Sequence, residues 1–232
     1  LVGLGDVYKR QVTYFQQKDP HLFTVVKLEK NQGLGIALAI GLEHTKNRLV
    51  ARMDTDDIME PQRLEKQLEI FQKDPEIAIV GSNIEEFTGT LSNVIGKRIV
   101  PEYNNAIRVF SKRRNPFNHM TVMFDKKAIL EVGNYQPLSG FEDYYLWARL
   151  LKAGYKGYNI QETLVYARTG KDMYARRGGM KYLGSGLMGR YRIWKDGLGS
   201  VKDFIIVSCG HIFISLLPNQ LRGKFYQTQL RK

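Results

Sequence analysis

Residues 50–57 read Val50-Ala51-Arg52-Met53-Asp54-Thr55-Asp56-Asp57, so an apolar run leads directly into three carboxylates. Side chains alternate between the two faces of a strand, and Asp54 and Asp56 are therefore predicted to point the same way. Two carboxylates on one face repel each other unless a cation lies between them, and such oxygen ligands suit Mg²⁺ or Mn²⁺. We predict a divalent-metal site held by Asp54 and Asp56 at a strand end. The alternative is a polar loop with solvated acids.

The elements around this stretch alternate between strand and helix. Apolar and β-branched residues predict strands over 23–28, 49–53 and 77–82. Helical spacing predicts one helix over 36–45 and another that begins near Pro61 and ends at Asp74. This order is typical of a parallel, layered α/β sheet, in which ligands bind at the carboxyl ends of the strands.

The remaining elements are predicted from the same patterns. Strands are expected over 121–124, 158–160 and 163–167, with antiparallel excursions over 83–101 and helices over 104–112, 126–132 and from Glu142 to Gly154. From Tyr174 onward the chain is predicted to be helical and basic.

The composition is that of one folded domain with an appendage. Of 232 residues, 43% are hydrophobic and 25% are charged, which is sufficient to form a core. We assign 12–170 to the α/β domain and 171–232 to a helical extension, and we treat the unpatterned residues 1–11 as a non-native segment. The single cysteine, Cys209, excludes an internal disulfide, and no apolar run is long enough for a transmembrane helix.

Positive charge is concentrated towards the carboxyl end of the chain. The net charge is +12, and the 13 basic and three acidic residues from Arg168 to Lys232 account for +10 of it. A basic tail on a nearly neutral body indicates a local anionic surface as partner, and nucleic acid is not expected.

Two features of this basic segment point to ligands. Residues 204–217 are mostly apolar and precede a tail that interleaves basic and aromatic residues. This pattern predicts a helix lying in the plane of an anionic membrane, the alternative being a helix packed on the domain. Arg176-Arg177-Gly178-Gly179 joins two charges to a hinge, which suits a loop closing over a diphosphate or a solvated basic turn.

A second acid pair, Glu142-Asp143, opens a predicted helix. Beside the apolar side chains of Phe141 and Trp147, the pKa of such a carboxylate would rise towards that of a working general base. A structural pair at a helix N-terminus is the alternative. His119 is a candidate metal ligand, substrate contact or structural hydrogen-bonding residue.

Several blocks of sequence carry a family resemblance. They are Asn31-Gln32-Gly33-Leu34-Gly35-Ile36-Ala37-Leu38, then Ala51-Arg52-Met53-Asp54-Thr55-Asp56-Asp57 followed by Pro61 and Arg63, and then Val80-Gly81-Ser82. In this order and spacing they resemble family 2 glycosyltransferases of the GT-A fold. Asn115-Pro116-Phe117-Asn118-His119-Met120-Thr121 and Gly140-Phe141-Glu142-Asp143-Tyr144-Tyr145-Leu146-Trp147 are similar to the bacterial polysaccharide branch of amylovoran-type enzymes.

The resemblance implies a fold and a chemistry. The expected fold is a GT-A mixed sheet flanked by helices, with a helical C-terminal extension. The expected enzyme is an inverting, metal-dependent glycosyltransferase of cell-surface polysaccharide biosynthesis. The implied site residues are Asp143 as base with Glu142 beside it, Asp54 and Asp56 on Mg²⁺ or Mn²⁺, Arg52, Arg176 and Arg177 on the diphosphate, and His119, Asn118 and Trp147 around the acceptor.

The same resemblance implies the partners and the location. The donor would be a nucleotide-diphosphate sugar, and the acceptor a saccharide, usually lipid-linked in this branch. The protein would be cytoplasmic and peripheral on the inner face of the cytoplasmic membrane, which fits its basic carboxyl end.

One departure from the family pattern concerns the beginning of the chain. The first two family strands have no counterpart here, so we expect a chain that starts inside the domain, roughly 40 to 60 residues late, with an incomplete nucleotide-base pocket. Two other function classes stay open on the residues alone. They are a membrane- or polyanion-binding module without catalysis, and a metal-dependent phosphatase or nucleotidyltransferase.

Overall fold

The computed structural model describes residues 6–170 and 179–218. The strands of this part are β1 (Leu49–Ala51), β2 (Ile58–Met59), β3 (Ile77–Phe87), β4 (Val94–Arg98), β5 (Met123–Asp125) and β6 (Lys156–Arg168). Its helices are α1 (Asp6–Lys18), α2 (Leu34–Glu43), α3 (Arg63–Lys73), α4 (Asn104–Ser111), α5 (Lys126–Glu131), α6 (Glu142–Lys152), α7 (Gly179–Lys195) and α8 (Val201–Leu216). A 3₁₀ helix spans His119–Thr121.

The strands form one mixed sheet in the order β1-β5-β3-β6-β2, with β4 paired to the second half of β3. β3 and β6 are parallel, and the other pairings are antiparallel. A mixed sheet flanked by helices is thus confirmed, whereas the parallel sheet predicted from strand–helix alternation is wrong. The reason is that β5 comes from a later part of the chain and inserts, antiparallel, between β1 and β3.

Three local predictions also need correction. Residues 23–28 form no strand, and Phe23 and Val25 are exposed, because no described strand lies beside this segment to complete its hydrogen bonds. The helix predicted to begin near Pro61 begins at Arg63, and the residues just before Pro61 form β2, which pairs with β6. The two strands predicted over 158–160 and 163–167 are one strand, β6, whose register shifts where it passes Ser82 and Asn83.

The core lies between the sheet and α6. Leu146, Trp147, Leu150 and Leu151 of α6 are completely buried, and the Trp147 ring meets Phe117 edge-on at 5.9 Å between centroids. The apolar stripe at helical spacing therefore faces the sheet, as amphipathic helices do. Because this stripe fixes α6, it also fixes the acidic first turn of the helix.

Gly81 allows two strands and a loop to approach closely. A Cβ at Gly81 would lie 2.3 Å from the side-chain Oδ1 of Asn159 on the neighbouring strand β6. The Asn159 amide donates to the carbonyls of Pro101 and Pro116, at 2.7 and 3.1 Å. The glycine of the Val80-Gly81-Ser82 block thus makes room for a contact that holds the 115–118 loop against the sheet.

A buried arginine ties α3 to the strand ends. Arg63 is 1% exposed, and its Nη2 donates to the carbonyl of Arg52 at 2.7 Å and to that of Val122 at 3.4 Å. Its Nε donates to Gln67, whose own amide donates to the carbonyls of Val80 and Thr121. Burial lowers the pKa of Arg63 to about 10. Two side chains of one helix therefore hold the end of β1, the start of β5 and the first half of β3 together.

Helices α7 and α8 pack together beyond α6. A Cβ at Gly186 of α7 would lie 1.8 Å from Nε2 of His211 of α8, so the two helices are in close contact. Trp194 stacks on Phe204 at 5.2 Å. No helix within residues 6–170 and 179–218 is both long enough and apolar enough to cross a bilayer.

Replacing Arg63 with alanine should lower the free energy of unfolding by about 3 kcal/mol, since buried carbonyls lose a charged donor. The matched control is Lys73→Ala on the same helix. Lys73 is exposed and forms an ion pair with Glu69 four residues earlier, so its loss should change stability by less than about 0.5 kcal/mol. Urea unfolding of both variants measures the difference, and equal midpoints would contradict the structural role of Arg63.

Candidate active site

The acidic stretch leaves β1 as a turn, and its first acid is paired with an arginine. β1 ends at Ala51, so the strand alternation invoked for Asp54 and Asp56 does not apply at these positions. The Arg52 guanidinium donates through Nη1 and Nη2 to the two carboxylate oxygens of Asp54, at 2.8 and 2.5 Å. The Asp54 side chain keeps 39% of its surface exposed. Arg52 and Asp54 thus present a fixed cation and a fixed anion side by side.

The end of β6 anchors the rest of the acidic turn. The Arg168 backbone N–H donates to Asp57 Oδ1 at 2.8 Å, and its side-chain Nε donates to the Asp56 carbonyl at 3.1 Å. Burial, with a smaller contribution from the charges of Asp54 and Asp56, raises the pKa of Asp57 to about 6. Asp56 itself is exposed. Arg168 was not predicted as a site residue, because its role depends on the sheet pairing of β2 with β6.

The second acid pair forms the first turn of α6, after the N-cap Phe141. Asp143 Oδ2 accepts a 2.6 Å hydrogen bond from the side-chain amide of Asn115. The carbonyl oxygen of that amide accepts from the Phe117 N–H, which fixes the orientation of the amide. Burial raises the pKa of Glu142, whereas backbone N–H groups of the helix start lower it. Asp143 is therefore the positioned and partly exposed member of the pair, and Glu142 is buried.

His119 lies between the two acid clusters. Its Nε2 is 3.0 Å from the hydroxyl of Tyr135, and its ring packs edge-on against Trp147. Burial lowers its pKa to about 4, and the charges of Asp143, Arg52 and Asp54 all act on it. Tyr135 likewise experiences the charges of Arg52 and Asp143. The structure thus brings Arg52, Asp54, Asp143 and a neutral His119 together in one site.

Other predicted residues lie behind this site or outside the described part of the chain. Asn118 and Trp147 are completely buried, and the Asn118 amide donates to the Ser82 carbonyl at 2.8 Å. They form the wall of the site rather than its open surface. Arg176 and Arg177 lie outside the described residues. Tyr135 and Asn115 were missed as site residues, although Asn115 opens one of the quoted blocks.

The residues around Asp54 suit a hard divalent cation only in part. No group of three or more His, Cys, Asp and Glu residues in the described ranges could hold a metal ion. Asp54 and Asp56 nevertheless offer carboxylate oxygens, and each such oxygen can accept more than one partner. Mg²⁺-type ions are often held by one or two carboxylates together with substrate phosphates. The donor set therefore fits an ion that is completed by a diphosphate.

Residues 6–135, more than half of the chain, match the family model "Glycosyl transferase family 2". The chain belongs to this family. It is 40% identical over 205 residues to the UDP-Gal:alpha-D-GlcNAc-diphosphoundecaprenol beta-1,3-galactosyltransferase of Escherichia coli, covering 88% of this chain and 74% of that protein. It is 42% identical over 161 residues to the amylovoran biosynthesis glycosyltransferase AmsE of Erwinia amylovora, covering 69% of this chain and 60% of AmsE.

A solved structure supports the fold assignment. The mannosyltransferase PcManGT of Pyrobaculum calidifontis, in complex with GDP-Man and Mn²⁺, superposes with a TM-score of 0.56 at 14% identity. The superposition covers 94% of this chain and 71% of PcManGT. This structure confirms the GT-A fold, and the family match with its named relatives confirms the glycosyltransferase assignment, so the chain is a transferase. A binding module without catalysis and a phosphatase or nucleotidyltransferase are thereby set aside.

The half-buried His119 should make stability depend on pH. Its pKa is about 4 in the folded chain and 6.5 in the unfolded one, so the unfolded state binds more protons between these values. The contribution of His119 to the free energy of unfolding is complete above pH 6.5. It falls by up to about 3 kcal/mol as the pH drops towards 4. Unfolding of the wild type and of His119→Gln from pH 7 to 4 measures it. Parallel pH profiles would contradict the neutral, buried imidazole.

Proposed function

We propose that this glycosyltransferase moves a sugar, with inversion at the anomeric carbon, from a nucleotide-diphosphate donor to a saccharide hydroxyl in cell-surface polysaccharide biosynthesis. The observation that carries the proposal is the Asp143 carboxylate, which accepts a 2.6 Å hydrogen bond from the Asn115 amide and whose charge acts on His119. The charges of Arg52 and Asp54 act on the same His119 ring. A base and a diphosphate-binding group therefore share one site.

Asp143 is assigned as the general base. It takes the proton of the acceptor hydroxyl, whose oxygen attacks the anomeric carbon while the bond to the donor diphosphate breaks. Asn115 orients the carboxylate for this step through a hydrogen bond whose direction is fixed by Phe117. His119 is neutral near pH 7, so it does not neutralise Asp143 by forming an ion pair. Glu142 is buried in the first turn of α6, and we assign it to the support of the helix start rather than to the proton transfer.

Arg52, Asp54 and Asp56 are assigned to the donor. Arg52 stabilises the negative charge that develops on the leaving diphosphate, as fixed cations do in phosphoryl and glycosyl transfer. Mg²⁺ or Mn²⁺, bound to Asp54 and Asp56, would neutralise further charge there. The Arg168 contacts hold the turn that carries Asp56 in place. The Arg176-Arg177 pair stays a candidate for the same task.

A lipid-linked saccharide is the proposed acceptor. The E. coli relative is named for transfer to a diphosphoundecaprenol-linked GlcNAc, and this chain covers 74% of that protein. A lipid-linked acceptor requires the enzyme to work at a membrane surface. The proposal therefore includes a cytoplasmic protein that is peripheral on the inner face of the cytoplasmic membrane.

Replacing Asp143 with asparagine should lower kcat by at least about 100-fold, since the amide keeps the contact with Asn115 but cannot accept the proton. Transfer from UDP-Gal to a GlcNAc-diphospho-lipid measures the effect. Glu162→Gln, an equally isosteric change of an exposed acid, is the control and should keep full activity. Unchanged turnover in Asp143→Asn would remove the base assignment.

Asp54→Asn and Asp56→Asn should act on the donor instead. In calorimetric titrations with UDP and Mn²⁺, each should raise the Kd of the nucleotide by about tenfold or more, because one anionic oxygen ligand is lost. Asp143→Asn serves as the opposite control and should leave this Kd unchanged. If Asp143→Asn alone weakened nucleotide binding, the assignment of the two acid clusters would be reversed.

A further inference from the structure

Helix α8 buries polar side chains and exposes most of its apolar ones, although Phe204 packs inwards on Trp194. Asp203, His211 and Ser215 are buried, at 9%, 4% and 3% exposure. The outward face carries exposed apolar side chains along the whole helix. They are Val201, Ile205, Ile206, Ile212, Phe213 and Leu216, with exposures from 38% to 64%. A surface helix usually turns its apolar stripe towards the core, so an exposed apolar face of this length is unusual.

The inward polar groups show that this orientation is specified by contacts. The His211 ring fits against Gly186, and its Nε2 is 3.2 Å from the Tyr182 carbonyl. Asp203 caps the helix start with Ser200 and accepts from Arg113 at 2.6 Å. Rotation of the helix to bury its apolar face would break these contacts. The apolar face is therefore held outwards.

The charged residues described as exposed on α7 and α8 are all basic. The exposed arc of α8 carries Lys202 and no acid, because Asp203, the sole acid of α8, is buried and paired. Arg192 and Lys195 of α7 are also exposed. Residues 219–232, which continue the chain beyond Pro218, contain four basic residues and no acidic one. A second copy of this chain would bring like charges together, whereas an anionic lipid surface complements them.

We infer that the outward face of α8 inserts into an anionic membrane, with the helix axis parallel to the bilayer plane. The helix has 16 residues and is thus about 24 Å long, which suits a helix lying in the interface. This inference deepens the proposed function, since it supplies the surface by which the enzyme reaches a lipid-linked acceptor.

Helix α7 connects this surface of α8 to the start of α6. α7 packs between α8 and α6, and a Cβ at its Gly189 would lie 2.6 Å from the Phe141 ring. The Arg190 guanidinium lies over the same ring, 5.3 Å from its centroid. Phe141 directly precedes Glu142 and Asp143, so α7 packs against the start of α6. The membrane contact therefore sets where the base meets the lipid-linked acceptor.

The single cysteine offers a direct probe of this surface. Cys209 is exposed on the outward face of α8, between Ile205 and Phe213. An environment-sensitive fluorophore on Cys209 should shift to the blue when phosphatidylglycerol vesicles are added, and lipid-attached quenchers should reduce its emission. Phosphatidylcholine vesicles should give a much smaller shift. A Cys209→Ser, Ile99→Cys protein labelled at position 99 is the control and should not respond.

Matched substitutions test the apolar face itself. Ile205→Glu and Phe213→Glu should each lower the fraction that floats with phosphatidylglycerol vesicles by about tenfold, since a charge replaces an inserted apolar side chain. Ile99 has 57% exposure against 53% for Ile205, so Ile99→Glu is the control and should still float. Vesicle binding by the α8 variants equal to the wild type would overturn the inference. So would concentration-dependent dimerisation of the wild type through α8 without vesicle binding.

Two acceptors separate this inference from the proposed function. The α8 variants should keep transfer to a short-chain, water-soluble acceptor and lose transfer to an acceptor embedded in vesicles. Loss of both activities, with intact folding, would overturn the assignment of α8 as a membrane contact alone. Absence of transfer to either acceptor in the wild type, with vesicle binding retained, would contradict the proposed function and leave the membrane surface supported.

Discussion

The site depends on a buried guanidinium that has no carboxylate among its described hydrogen-bond partners. Arg63 donates to the carbonyls of Arg52 and Val122, and Gln67 of the same helix donates to those of Val80 and Thr121. Burying a charge is unfavourable unless its donors are satisfied, so these carbonyls and the guanidinium require one another. The constraint decides where β1 ends, and hence where Arg52 and Asp54 begin.

The fold also determines the protonation state of His119. The sheet places His119 among Asp143, Arg52 and Asp54, and burial keeps its ring neutral near pH 7. A protonated imidazole there would pair with Asp143 and weaken it as a base. The fold thus separates an arginine–aspartate pair, the proposed donor side, from an amide-held carboxylate, the proposed acceptor side. On the acceptor side α7 and α8 continue outwards, and the membrane contact that we infer lies at their far surface.

The sequence predicted the elements whose identity depends on a local pattern of residues. The acidic stretch after β1 and the helix that begins at Glu142 could be predicted from the residues, and the mixed α/β architecture from the family resemblance. The antiparallel insertion of β5 could not, because apolar periodicity identifies a strand without its direction. Tyr135, Arg168 and Arg63 were missed as site or supporting residues, since their roles come from contacts across strands distant in sequence. The exposed apolar face of α8 could be identified only from the structure, because the sequence of a mostly apolar helix does not indicate which side is buried.

The central claim is that the two acid clusters form one site, with the donor at Asp54 and Asp56 and the base at Asp143. A crystal structure with a nucleotide diphosphate and Mn²⁺, measured at the manganese absorption edge, tests it most directly. The account predicts an anomalous peak at the carboxylates of Asp54 and Asp56, with the diphosphate on the side of Arg52 that faces Asp143. A peak at Glu142 and Asp143, or a nucleotide bound away from both clusters, would contradict it.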